Sequence, residues 1–440
     1  MAFARVGLRV PCTYRHQGKR GCVVSSEWSP RRQNLPIRDI VELQREIRPA
    51  ESRGVFDESV DLPLGTPDRW RFGWAFRGVM SDFRGVDDTA VPGALRRGSV
   101  RLRHGDRELV VVEDYLIDED WGVATGVHEF QYPVCASYEF GLLRIDSLVA
   151  VKGGAKELLR GLSHLSNPYP PTLLAHQTLI ANIYVPYFGE PEILWLNRHR
   201  SDARSPSQRS KLPRTTDKLA TGSSLRVTCM GDSVTAGASS SSTESAYPRL
   251  LEEAFRSNHY SGVTINTVAV AGSNSAQWLG RQSGDTGVAW AEVIDSKPDL
   301  LIVEFVNDAD IDGNLWQELY SELTARSSEL NCDLLITTPH FTRPEWMGNE
   351  RMSDPDRRPY VRFLRQFCRD QPVALADVAS AWERLYDSGI PYLTLLRNGI
   401  NHPDDRGHRI YATEVAATIG LNPNAPRRAS SAKMPTQRSA

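Results

Sequence analysis

Four short stretches of this 440-residue chain carry side chains suited to acyl-transfer chemistry. "MGDSVTAGASS" (230–240) places Ser233 just beyond an apolar run, behind a glycine that permits a sharp exit from a strand. "VAVAGSN" contains Gly272, where the missing side chain lets a backbone N–H approach a ligand. "VEFVND" ends in Asn307-Asp308, and the asparagine amide is a donor that a developing oxyanion can use. "RNGINHPDDRGH" presents His402 in a Pro- and Gly-punctuated loop, where a neutral imidazole can take the proton of a serine hydroxyl. Each stretch alone has an ordinary explanation: a turn, a strand-to-loop glycine, a helix-capping asparagine, a packed histidine. Their order along the chain is what sets them apart.

The elements that must position them follow from periodicity. From residue 224 onward, near-continuous apolar runs alternate with amphipathic segments: "LRVTCM", "VTINTVAVAG", "PDLLIVEFVND", "CDLLITTPH" and "VALADV" as strands, with helices such as "ESAYPRLLEEAFRSN" and "LWQELYSELTARSSEL" between them. That pattern predicts a parallel sheet covered on both faces, a flavodoxin-like three-layer α/β/α domain over 224–422. Such sheets bind ligands beyond the carboxyl ends of their strands, which is where all four stretches fall.

In that order the four blocks resemble the SGNH (GDSL-type) hydrolase superfamily: "GDSVT", the glycine of "VAVAGSN", the "ND" of "VEFVND" and the "HP" of "NHPDDRGH". The resemblance covers about 224–422. It implies Ser233 as nucleophile and His402 as general base. It also implies an oxyanion hole made of the Ser233 N–H, the Gly272 N–H and the Asn307 side chain. The departures are specific. Valine follows GDS instead of leucine, and Phe305 stands where the family has glycine. Gly399 stands three residues before the histidine, where the family has aspartate. Asn398, Asp377 and Asp405 are the candidates to orient His402 in its place, with Asp404 a further carboxylate; Asp404 or Asp405 is also expected to cap the helix that follows. His408, within that helix, is expected to be a packed or surface residue.

The residues before the linker read differently. "SVRLRHGDRELVVVEDYLIDEDWG", "ASYEFGLLRIDSLVAVKGG" and "TLIANIYVPYFGEPEILWL" alternate with period two around turn residues, predicting a β-rich, sandwich-like domain over 1–197. "PIRDIVELQREIR" is a short helical candidate. The polar, basic stretch 198–223 is expected to be a linker ending in a short helix, and 423–440 a disordered tail. Trp70, Trp74 and Trp121 are expected in the core of the β domain rather than on a sugar-stacking surface. After His340 in "TTPHFTRPEW", the long irregular stretch "FTRPEWMGNERMSDPDRRP" is expected to be a substrate-facing lid, with Arg343 and Trp346 as contacts, and His340 either lines the pocket or is satisfied in its loop.

Composition bounds the partners. Lys+Arg 52 against Asp+Glu 54 gives a net charge of −2, which argues against a nucleic-acid binder driven by global charge. Six scattered cysteines form no C-x-x-C pair, so no metal site or disulfide framework is expected. No stretch is long and apolar enough for a membrane span, and "MAFARVGLRVPCTYRHQGKR" has no signal-like apolar core, so the cytoplasm is the default expectation. The function these features predict is a cofactor-free serine esterase for short-chain or carbohydrate O-acetyl esters. The alternative is a carbohydrate-binding or structural protein carrying a weak or inactive SGNH domain.

Overall fold

A computed structural model describes residues 46–81, 90–197, 206–281 and 290–422. The 423–440 tail, most of the helical candidate over 36–48 and the start of the linker lie outside these residues. From Pro49 onward the chain forms one compact unit.

Its β-rich part contains three antiparallel sheets among the described residues. One runs Ser52–Val60, Val134–Gly141, Arg101–His104, Arg107–Glu108 in spatial order, the last two joined by a tight turn with Gly105 at φ +62°. A second orders Glu192–Trp195, Gln177–Val185, Arg144–Val151 and Lys156–Leu159, and the third orders Trp74–Ala75, Val123–Gly126 and Tyr115–Asp118. Their inward residues, among them Val60, Phe76, Val79, Val91, Leu95, Leu102 and Phe140, make a separate core.

The second part is a five-stranded parallel sheet: β1 (Leu225–Gly231), β2 (Val263–Ala269), β3 (Leu300–Glu304), β4 (Asp333–Thr337) and β5 (Ala374–Ala376). The order is β2-β1-β3-β4-β5, with every neighbour parallel. Adjacent residues of one strand enter opposite cores. Leu300 and Ile302 point to the face covered by α1 (Pro213–Thr221), α2 (Tyr247–Ser257), α6 (Val378–Asp387) and α7 (Asp405–Ile419). Leu301 and Val303 point to the face covered by α3 (Trp290–Ser296), α4 (Gly313–Glu329) and α5 (Pro359–Asp370). Burial on both faces is why these strands read as unbroken apolar runs. Each such side chain contributes about 1.5–3 kcal/mol of burial.

Helix α1 is the short helix expected at the end of the linker, closed by Gly222 in the left-handed conformation at φ +68°. The residues just before and within it are tied to the sheet: Gln208 Nε2 donates to the Leu375 carbonyl, and Asp333 accepts from the Thr215 N–H at 2.6 Å.

Among the described residues, no helix is long and apolar enough to cross a membrane.

Candidate active site

Beyond Gly231 the chain turns sharply, and no other residue fits there. A Cβ at 231 would stand 2.2 Å from Thr235 Oγ1 and 2.4 Å from the Glu304 carbonyl. The turn is organised by Asp232, which is fully buried. Its Oδ1 accepts the Val234 N–H at 3.0 Å, and its Oδ2 accepts the Val306 N–H at 2.8 Å and the Asn307 N–H at 3.3 Å. One carboxylate thus locks the end of β1 to the end of β3. Glu304, also buried, accepts from Thr235 Oγ1 at 2.8 Å. Burial raises the pKa of both Asp232 and Glu304, and the charge on Asp232 pushes that of Glu304 further up.

This frame sets Ser233 Oγ 2.9 Å from His402 Nε2. Both side chains are nearly enclosed, at 5% and 8% exposure. Burial and the neighbouring His408 pull the His402 pKa down to about 4, so at neutral pH the ring is neutral and its Nε2 lone pair is free of a proton. Among the described residues nothing accepts from the N–H of Ser233 or of Gly272. Gly272 has φ +75° and open space around its Cα. Asn307 Nδ2 donates to Asp232 Oδ2 at 3.2 Å and to the Ser273 carbonyl at 3.0 Å. Donation to a bound oxyanion would therefore exchange one of these two bonds. Asp308 lies beneath, accepting from the Ser275 N–H and from the Tyr320 and Tyr360 hydroxyls, and burial raises its pKa to about 6. Phe305 is packed in the core between the sheet and α3–α5.

The candidates to orient the base are distributed differently. Asn398 sits inside the histidine loop, and its Oδ1 accepts the N–H groups of Ile400, Asn401 and His402 at 2.9–3.0 Å. It shapes the loop backbone. Asp405 faces the other way and accepts from the Ser241 N–H at 2.7 Å and hydroxyl at 2.6 Å. Asp377 caps α6 and pairs with Arg365 at 2.8 Å. Asp404 caps α7 through the Arg406 and Gly407 N–H groups. At position 399 there is no room for a carboxylate: Gly399 has φ +67°, and a Cβ there would be 2.8 Å from Val91 Cγ1.

His340 is a satisfied, buried histidine. Its Nδ1 meets the Tyr411 hydroxyl at 3.0 Å and its Nε2 meets the Asn401 carbonyl at 2.6 Å, beside His402. His408 is fully buried, with Nε2 3.2 Å from the Ala238 carbonyl.

The stretch after His340 differs from an open lid, because Phe341, Met347 and Met352 are buried in the core. Arg343 directs its guanidinium at the Pro92 and Gly399 carbonyls and at Glu345. Trp346 remains 38% exposed and packs on Trp70 and Trp121, with ring centroids 5.0 and 6.3 Å away. Of the three expected core tryptophans, Trp121 is buried, whereas Trp70 and Trp74 are half-buried.

Sequence reasoning passed over Asp232, Glu304 and Thr235. A signal existed for one of them: Glu304 is a lone charge inside the apolar run "LLIVEF" of a central strand.

Residues 229–410 match the model of the GDSL-like lipase/acylhydrolase family. Among curated proteins there is no match. An acetyl xylan esterase, AlAXEase, is 19% identical over 44% of this chain and 100% of its own, with a TM-score of 0.37. A two-domain esterase, CEX, active on acetylated mannans and co-crystallised with mannopentaose, is 19% identical over 50% of this chain and 55% of its own, with a TM-score of 0.38. TesA is 16% identical over 44% of this chain and 98% of its own, with a TM-score of 0.34.

Proposed function

We propose that the chain, whose residues 229–410 match the GDSL-like lipase/acylhydrolase model, is a serine esterase working through an acyl-enzyme on Ser233, with His402 as its base. The observation that carries this reading is the 2.9 Å contact between Ser233 Oγ and a ring held neutral by burial. In the first half-reaction His402 Nε2 takes the Ser233 proton while Oγ attacks the ester carbonyl. The Ser233 and Gly272 N–H groups and the Asn307 amide hold the tetrahedral oxyanion. The histidine then gives its proton to the leaving alcohol. Water, deprotonated by the same ring, releases the acid and restores the serine.

The near enclosure of Ser233 and His402 favours a short acyl group. Short-chain esters and O-acetyl groups on carbohydrate are the substrates proposed, and no cofactor is called for in these steps. The test is covalent labelling. A fluorophosphonate probe should modify wild-type protein at Ser233, located by peptide mapping, and leave Ser233→Ala unlabelled. Labelling at another serine would overturn the assignment.

A further inference from the structure

The loop that carries His402 starts in a core of the parallel sheet, where Leu396 is buried, but its tip is anchored outside that sheet. Residues 396–403 close on themselves: the Arg397 N–H donates to the His402 carbonyl at 2.9 Å, and Leu396 bridges Pro403. Asn398 fills the interior of the loop. At its tip is Ile400, which is 3% exposed. Its side chain belongs to the core of the β-rich part, together with Val79, Val91 and Leu95, and not to either core of the parallel sheet. Gly399 presses against Val91. The Arg343 guanidinium reaches carbonyls on both sides of this seam, Pro92 at 3.4 Å and Gly399 at 3.3 Å, and the Arg343 N–H donates to the Ile400 carbonyl at 2.9 Å.

We infer that the β-rich part is a working half of the active site, and that Ile400 is the positioning residue through which it holds the His402 loop. The loop has no helix or strand of its own, and its internal bonds fix its shape but not its placement. An aliphatic side chain inserted into a close-packed core is held to within fractions of an ångström. Two residues further along the chain, that restraint reaches His402, whose Nε2 must meet Ser233 Oγ at bonding distance. On the opposite side, His340 Nε2 holds the Asn401 carbonyl at 2.6 Å. The loop is thus gripped from two directions, by an apolar plug and by a buried hydrogen bond. At position 399 a Cβ would stand 2.8 Å from Val91 Cγ1, so the β-rich part also closes on the loop beside Ile400.

This inference rests on the esterase reading, and its test separates the two. The whole chain is used throughout, with p-nitrophenyl acetate as substrate. Ile400→Ala should lower kcat by about 10- to 100-fold with KM within about threefold, as expected when a reacting group is misplaced by around an ångström. It should also move the acid limb of the kcat/KM profile upward, because a loosened ring meets more water. Ile400→Leu should restore most of the rate. Val60→Ala, a deletion of similar kind in the same core, should lower the melting temperature yet leave kcat within about twofold. Val91→Ala, milder than the isoleucine truncation, should lower kcat in the same direction and covers the case in which Ile400→Ala does not fold. Folded Ile400→Ala or Val91→Ala with wild-type kcat and pH profile would overturn the inference. So would an equal kcat loss in Val60→Ala. If Ser233→Ala hydrolyses as fast as wild type, the esterase reading itself fails. A slow Ser233→Ala beside an unaffected Ile400→Ala removes the positioning role alone.

Discussion

The serine turn and the histidine loop meet at one hydrogen bond but are built on different terms. The serine turn is a continuation of the sheet. Gly231 leaves β1 where no Cβ fits, and buried Asp232 clips it to the end of β3 through backbone donors. The histidine loop borrows the support of its tip from elsewhere. Ile400 is seated in the β-rich core, His340 holds the Asn401 carbonyl, and Asn398 bonds three N–H groups from within. A nucleophile made from a strand end needs only its own fold, whereas a base on an irregular loop needs neighbours.

Asn307→Ala removes the amide that ties Asp232 to the Ser273 carbonyl and is proposed to face the oxyanion. Turnover of p-nitrophenyl acetate should fall about 100- to 1000-fold. A loss under tenfold would mean that Asn307 serves only the turn. Asn398→Ala challenges the histidine loop. Three N–H groups would lose their acceptor, and the two in buried bonds, those of Ile400 and His402, are each worth about 1–3 kcal/mol when left unsatisfied. The expected result is a lower melting temperature and a kcat reduced about 10- to 100-fold, with Ser233 still slowly labelled by a fluorophosphonate.

The pH dependence gives a smaller effect with a defined sign. With the His402 pKa near 4, kcat/KM should hold from neutral pH down to about 5 and fall near 4, instead of falling through the usual histidine range around 6.5. Stability follows the same direction. The His340 pKa is lowered to about 3 by burial, so the unfolded chain takes up its proton first. Its contribution is complete above about pH 6.5 and is lost as pH falls toward 3. The melting-temperature advantage of wild type over His340→Gln should therefore shrink between pH 6.5 and 4. A constant difference would show that the ring is not held neutral.

How much of this was legible in the sequence follows the same division. The parallel sheet was legible because burial on both faces writes unbroken apolar strands, and the four chemical stretches fall at their ends because that is where such a sheet presents residues. The β-rich part was legible as alternation, but its division into three sheets was not, since pairing partners as distant as Val60 and Val134 leave no local mark. The support of the base was the least legible feature. Ile400 reads as an ordinary apolar residue in a polar loop, and only the fold reveals that its core is contributed by residues some three hundred positions earlier. Arg343, expected to meet substrate, braces backbone carbonyls for the same reason: the seam it crosses exists only in three dimensions.

Pre-steady-state hydrolysis of p-nitrophenyl acetate reports on whether Ser233 and His402 work as a pair. Wild-type protein should release p-nitrophenol at a rate at least about a thousandfold above Ser233→Ala and His402→Ala. The double variant should be no slower than either single one, since the two residues act as a unit. Equal rates in wild type and Ser233→Ala, or losses that multiply in the double variant, would contradict the account.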